Sequence, residues 1–274
     1  ATLGIFTYYD GSAPANRTLP LGGLLAADVD ATVYAGSAGV IYQTPWEVAR
    51  GGLAFGLVAP YVSLEVEGQA QRTNPDGTPG PVFAARDTAN GIGDITLIPF
   101  MLGWTNLLPD LKVDTRLSIY APTGEFEAGR LANVGKNYWT FEPGVMASWV
   151  SSRIGTEVSL YTGVDFNTEN GDTDYQSGTS LHLDATIAQH LPLLGGIAGL
   201  GANGFYYTQI TGDSGAGAKL GDFKGHTAGV GPVLSYARKM GRADLVAELK
   251  WLPELDTDKR LEGDYVWFKL VLLF

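Results

Sequence analysis

Hydrophobic and polar residues alternate with a period of two along most of this chain. The clearest interior case is the segment 111–120, where the odd positions are mostly aliphatic and the even positions are polar: Lys112, Asp114, Arg116, Ser118 and Tyr120. Successive side chains of a β-strand point to opposite faces. The pattern therefore predicts a strand with one apolar and one polar face.

The same alternation predicts about twelve strands with no helix between them. They lie near residues 3–9, 27–34, 53–69, 93–104, 111–120, 138–150, 156–166, 181–187, up to 210, 226–238, 243–252 and 265–274. The segment 185–212 contains no Asp, Glu, Lys or Arg, but its glycines and its proline favour two strands and a turn over a membrane helix.

The last ten residues form the most apolar predicted strand. One face carries Val266, Phe268, Leu270, Leu272 and Phe274, and the other face carries Lys269 at its centre. Ten residues are enough for a tilted barrel strand to cross a bilayer. The final phenylalanine also resembles the C-terminal aromatic signal of bacterial outer-membrane barrels. The alternative is a half-buried strand of a soluble sandwich.

The predicted connections alternate between short and long. Short ones lie near 45–51, 105–110, 151–154, 191–196 and 239–242; longer, polar ones lie at 11–25, 70–91, 122–137, 168–177, 212–224 and 256–262. Outer-membrane barrels have short periplasmic turns and long extracellular loops, whereas a sandwich has no reason to sort its loops. We therefore predict an all-β fold: one closed antiparallel transmembrane β-barrel of about twelve strands, spanning 1–274 as a single domain, with both termini periplasmic.

Composition narrows the choice of partners. The net charge of −11 argues against nucleic acid, and the absence of cysteine excludes disulfides and thiolate chemistry. Ala1 is consistent with the first residue left after removal of a signal peptide. The expected partners are outer-membrane lipid and small solutes, and the expected state is a monomer in the outer membrane of a Gram-negative bacterium.

Charged residues occupy the strand face opposite the predicted lipid face. This set of predicted pore-lining residues comprises Asp28, Asp30, Lys112, Asp114, Arg116, Glu142, Glu157, Asp165, His182, Asp184, Asp244, Glu248, Lys250 and Lys269. Buried charges need partners or water, so this many charges predict a hydrated lumen. Because both signs are present, we expect paired charges and little ion selectivity.

Candidate chemistry is sparse. His182 and Asp184 share a face, which suits pore lining better than a Ser-His catalytic pair. The glycines at 91 and 93 lack the helix of a phosphate-binding loop. The loop 170–174 has oxygen ligands at alternate positions, but it lacks the final acidic residue of a calcium loop. We expect no catalytic residue, no metal site and no cofactor.

Short motifs in order along the chain resemble a known family. They are Gly-Ile-Gly-Asp at 91–94, Ala-Pro-Thr-Gly at 121–124, Gly-Lys-Asn-Tyr-Trp at 135–139, Gly-Pro at 231–232 and Glu-Gly-Asp-Tyr-Val-Trp at 262–267. From about residue 27 onwards the chain resembles outer-membrane proteins associated with the meta-cleavage pathway of phenol degradation. The resemblance implies a monomeric twelve-stranded barrel that serves as a diffusion channel for fairly bulky, often apolar small molecules.

The favoured function is thus passive diffusion of small apolar or aromatic molecules through a lumen narrowed by loops. We expect the narrowing at 70–91 and 122–137, or at the segment 6–9 folded inward. Two alternatives stay open: an outer-membrane hydrolase acting on lipid or peptide, and a structural or adhesion barrel with a plugged lumen.

Overall fold

The computed structural model describes residues 1–74 and 78–274, which form fourteen β-strands. They are β1 (Thr2–Ala13), β2 (Leu19–Leu21), β3 (Leu24–Val48), β4 (Gly51–Thr73), β5 (Pro79–Ile92), β6 (Ile95–Leu108), β7 (Leu111–Ala121), β8 (Thr140–Val150), β9 (Thr156–Asn167), β10 (Ser180–Leu193), β11 (Gly196–Gln209), β12 (His226–Met240), β13 (Ala243–Asp258) and β14 (Glu262–Leu273). Over these residues there is no helix of the length and hydrophobicity that a membrane span requires.

Twelve of these strands close into one antiparallel barrel, as predicted. Closure occurs at β1, where Tyr8 lies opposite Val266 of β14 on one edge and opposite Tyr34 of β3 on the other. Closure pairs the backbone groups that edge strands would otherwise expose. In lipid, which offers no water as a substitute partner, those pairs are needed.

β4 is long enough to pair with two successive strands. Its early part, around Val58, pairs with β6, and its later part, from Tyr61 onwards, pairs with β5. β5 and β6 are therefore two parts of one stretch of wall, separated by Gly93 and Asp94.

Two predicted loops are shorter in the structure. The segment 70–91 lies mostly within β4 and β5, which pair with each other, and its residues 75–77 lie outside the described residues. This strand was missed from the sequence alone because its outward residues, such as Arg86, are polar. Around Arg86, the outward face of the wall therefore lacks the apolar residues that would meet hydrocarbon. The predicted loop at 256–262 shrinks to 259–261, since β13 and β14 extend into it.

Large apolar side chains cover much of the outward surface. Leu200 of β11 lies opposite Leu234 of β12, and both are exposed. Val158 and Leu160 of β9 are exposed in the same way. An apolar outer surface of this extent is unfavourable in water and matches hydrocarbon. The barrel is an integral outer-membrane protein.

The connections are sorted between the two ends of the barrel. Short turns at 49–50, 109–110, 151–155, 194–195 and 241–242 share one end. Longer loops at 122–139, 168–179 and 210–225 share the other end. In outer-membrane barrels the short turns face the periplasm, so the loops lie on the extracellular side.

A hydrophobic cluster, here called the plug, fills the extracellular end of the barrel. Leu131 from loop 122–139 and Phe223 from loop 210–225 pack against wall residues such as Val29. Leu19, which belongs to β2, joins the same cluster. The loops fold inward because their apolar side chains leave water when they pack on this part of the wall.

Segment 6–9 does not fold inward, so that alternative of the prediction was wrong. It belongs to β1, a strand of the wall, and the Phe6 side chain is exposed on the outside. Loop 122–139 does enter the barrel, as expected for one of the two predicted narrowing loops.

Candidate functional site

A cavity of about 900 Å³ occupies the lumen between the plug and the periplasmic end. Part of its wall, formed by β1, β3, β4, β6 and β14, is apolar. This apolar part includes Leu3, Ile5, Ile41, Val58, Ile98 and Val271. The remaining wall, formed largely by β7 to β10 and β13, carries ionisable groups. These include Arg116, Glu142, His182, Asp184 and Lys250.

Two lysines in the lumen are paired with carboxylates on β10 and β13. Lys250 Nζ lies 3.4 Å from Asp184 Oδ1 and 3.7 Å from Glu248 Oε1. Lys269 Nζ lies 3.5 Å from the same Glu248 oxygen. Both ammonium groups also lie near the Trp267 ring, 5.2 Å and 4.9 Å from its centroid. Pairing of this kind is what buried charges require.

The predicted pore-lining residues fall into four groups. Those that line the large cavity are Arg116, Glu142, His182, Asp184, Lys250 and Lys269. Asp114, Glu157, Asp165 and Glu248 share the inward face of β7, β9 and β13 with them, by strand alternation. Lys112 and Asp244 are exposed close to the periplasmic turns.

Asp28 and Asp30 form the fourth group, and the structure corrects their assignment. Both are exposed, whereas their neighbours Val29 and Ala31 are buried in the plug. The register of β3 against β4 shifts between Ala27 and Asp30, and Asp28 has a φ of 53°. Alternation was predicted correctly here, but the apolar face points inward because the lumen at this height is filled by apolar loop residues.

Glu142, Asp165 and His182 form a tight group near the extracellular ends of β8, β9 and β10. His182 Nε2 lies 3.7 Å from Glu142 Oε1 and 3.7 Å from Asp165 Oδ1. Glu142 is only 4% exposed. Tyr120 donates a 2.5 Å hydrogen bond to Glu142 Oε2, and Tyr161 donates one to Oε1. The strand register therefore gathers three potential ligand groups at the ceiling of the cavity.

Two inward polar residues escaped the sequence analysis. Glu254 of β13 accepts hydrogen bonds from the Tyr9 and Thr227 hydroxyls, at 3.1 Å and 2.9 Å. Its position continues the even-numbered face of Glu248 and Lys250, so alternation along β13 could have predicted that it points inward. Asn203 of β11 is fully buried and donates to Asp184 Oδ1 at 2.9 Å. Its neighbours in the sequence include glycines and it carries no charge, so the alternation of polar and apolar residues did not identify it as an inward polar residue.

One ion pair fastens loop 122–139 to the wall. Arg130 Nη2 donates to Asp87 Oδ1 at 2.6 Å, and Arg130 Nε donates to Asp87 Oδ2 at 3.2 Å. The backbone N–H of Ala132 donates to Asp87 Oδ2 at 3.1 Å. This bidentate geometry is the strong form of an arginine–carboxylate contact.

A partly buried hydrogen bond joins two further loops. Tyr175 Oη in loop 168–179 donates to Asp213 Oδ2 in loop 210–225 at 2.5 Å. Burial, and next the hydrogen bond to Asp213, raises the pKa of the Tyr175 phenol above its ordinary value. The phenol therefore stays neutral and keeps its proton for this contact.

The sequence matches the model of a family described as "Putative MetA-pathway of phenol degradation" over residues 13–270. The chain belongs to this family. Membership in the phenol-degradation family confirms the resemblance inferred from the ordered motifs between residues 91 and 267. Among curated proteins, no sequence matches the chain.

Two solved structures show the same architecture as this member of the phenol-degradation family. The chain is similar to the COG4313 outer membrane channel from Pseudomonas putida F1, with a TM-score of 0.64 and 14% identity, over 100% of this chain and 95% of that one. It is also similar to the beta domain of the Bordetella autotransporter Brka, with a TM-score of 0.52 and 13% identity, over 100% of this chain and 99% of that one. At these identities the similarity shows a shared fold.

Proposed function

We propose that this protein is an outer-membrane channel through which small, fairly bulky apolar or aromatic molecules diffuse passively. In this proposal the chain acts as a monomer and a single barrel domain. The observation that carries it is the cavity of about 900 Å³, with its apolar wall beside a charged wall. A cavity of this size lies in the range that holds small organic ligands.

A second cavity supports a route along the same side of the barrel. It has a volume of about 370 Å³, and Val33 of β3 and Leu64 of β4 contribute to its lining. Ile41 and Val58, further along the same two strands, line the larger cavity. An apolar solute therefore meets aliphatic side chains of β3 and β4 at both heights. Such contacts are weak enough for a solute to leave again, as conduction requires.

The relatives favour the same conclusion. The similar protein from Pseudomonas putida F1 is an outer membrane channel, and the family is described by a phenol-degradation pathway. Phenolic compounds are aromatic molecules with one polar group, which suits a cavity with one apolar and one polar wall. Trp267 lines the cavity at the boundary between these walls.

The two alternatives make different demands on the site. A hydrolase of the Ser-His type requires a hydroxyl beside its histidine, but His182 is placed beside the carboxylates of Glu142 and Asp165. A structural barrel requires a lumen that stays closed, and the plug is the feature that favours it. The plug closes only the extracellular part of the lumen and leaves the large cavity open.

The test measures uptake into liposomes that contain the purified protein, with a size series of aromatic and aliphatic solutes. Val58→Asp introduces a charge into the apolar wall and should reduce uptake of aromatic solutes several-fold. Gln43→Asp is the matched control, since it adds the same charge to the same cavity at a position that is already polar. Uptake equal to that of empty liposomes, without single-channel conductance, would contradict the proposal. Hydrolysis of lipid or peptide that is lost in His182→Ala would support the enzyme instead.

A further inference from the structure

The group of Glu142, Asp165 and His182 carries an inference that is independent of solute transport. One oxygen of each carboxylate and the Nε2 atom of the imidazole lie within 4.8 Å of one another. Ligand atoms around a tetrahedral metal ion lie about 3.3–3.6 Å apart, given bonds of roughly 2.0–2.2 Å. The two 3.7 Å distances from His182 Nε2 are close to this separation.

The other oxygen of each carboxylate is occupied by a hydroxyl donor. Tyr120 donates to Glu142 Oε2, and Ser180 donates to Asp165 Oδ2 at 3.0 Å. These contacts leave Glu142 Oε1 and Asp165 Oδ1 turned towards the imidazole. Tyr161 uses one lone pair of Glu142 Oε1, and a carboxylate oxygen has a second. Hydrogen bonds that orient ligand groups in this way are characteristic of metal sites.

A glycine keeps the space between the three groups open. Gly163 of β9 lies directly opposite His182 in the β9–β10 register. A Cβ atom at Gly163 would lie 2.6 Å from His182 Nε2 and 3.0 Å from Glu142 Oε1. Any larger residue would therefore enter the space that these two ligand atoms share.

The charge balance favours a divalent cation. In the part of the chain that the structure describes, the only basic group within 4.0 Å of either carboxylate is His182. The nearby Arg116 guanidinium instead lies over the Tyr161 ring, 4.4 Å from its centroid. Arg116 and Lys136 act on these carboxylates only from beyond 4.0 Å. A divalent ion bound between the carboxylates would bring two positive charges into direct contact with them. Buried charges that lack full compensation are costly.

We propose that Glu142, Asp165 and His182 bind a divalent transition-metal ion such as Zn²⁺ at the ceiling of the lumen cavity. The imidazole ligand selects zinc and its neighbours in the first transition row over Ca²⁺ and Mg²⁺, which prefer oxygen ligands. Three protein ligands leave a further coordination position free for water or for a solute in the cavity.

The test is calorimetric titration of the purified, detergent-solubilised barrel with ZnCl₂, with Co²⁺ as a spectroscopic probe. We expect one saturable site per chain and visible Co²⁺ absorption that Zn²⁺ abolishes and excess Ca²⁺ does not. His182→Ala and Asp165→Asn should each weaken binding by more than about 100-fold, beyond the roughly 10–100-fold cost of changing outer-shell partners. Gly163→Ala should do the same while it retains all three ligands.

His190→Ala is the matched control. His190 also lies on the inward face of β10, but its partner is a single carboxylate, Glu157, at 2.6 Å. Heat-dependent migration on gels checks that each variant is folded. If Gly163→Ala does not fold, the nearly isosteric Asp165→Asn decides. The absence of saturable binding, or equal losses in His190→Ala and His182→Ala, would overturn the proposal.

Discussion

The contact between Arg130 and Asp87 gives the sharpest prediction about the plug. It fastens loop 122–139 to β5 through two hydrogen bonds, and Arg130 Nη2 also donates to the Thr88 carbonyl at 2.8 Å. Arg130→Ala removes all three contacts at once. It leaves the packing of Leu131 in the plug unchanged. We therefore expect the loop to detach more often without unfolding the barrel.

The magnitude follows from the geometry and exposure of the pair. Hydrogen bonds between charged groups contribute about 1.5–3 kcal/mol each when buried, but exposed ion pairs contribute about 0–1 kcal/mol. Here the side chains of Arg130 and Asp87 are 34% and 21% exposed, and the contact is bidentate. An intermediate value of about 1–2 kcal/mol is appropriate for the pair. That loss raises the population of the detached loop by roughly 5–30-fold.

Single-channel recording in planar bilayers measures this change as more frequent openings of larger conductance. Arg86→Ala is the matched control. It also removes one arginine charge, at the residue of β5 that precedes Asp87. The Arg86 guanidinium instead pairs with Glu65 and Glu67 of β4. If Arg130→Ala and Arg86→Ala give the same opening frequency as the unaltered protein, the ion pair does not hold the loop.

Three further predictions concern the fold. Epitope tags in loop 122–139 should be labelled on intact cells, whereas tags in turn 151–155 should not; the reverse would invert the topology. Leu117→Arg places a charge on the lipid face and should destabilise folding by roughly 2–4 kcal/mol in urea titrations, whereas Asp114→Asn on the inward face should cost far less; equal losses would refute the face assignment. Asn203→Ala removes buried hydrogen bonds and should cost about 1–3 kcal/mol by the same measurement, and an unchanged midpoint would show that these bonds contribute nothing.

Alternation along the chain was enough to predict a closed barrel of twelve strands and the end at which each connection lies. It also predicted the inward charges of β7 to β10 and β13, such as Arg116 and Glu142. Where one side of the wall meets hydrocarbon, only the apolar face of a strand can point to it. In those segments the period of two fixes the direction of each face as well as its composition.

In the part of the barrel that extends beyond the hydrocarbon, the same pattern does not determine which face of a strand points inward. At Asp30 and Val29 the outside is water and the inside is the apolar plug, so the polar face points outward and the apolar face inward. The identity of the residues on each face was evident from the chain, but the content of the lumen depends on how distant loops fold into it. The grouping of Glu142, Asp165 and His182 has the same origin. Strand register, which only the closed sheet sets, determines which inward side chains meet.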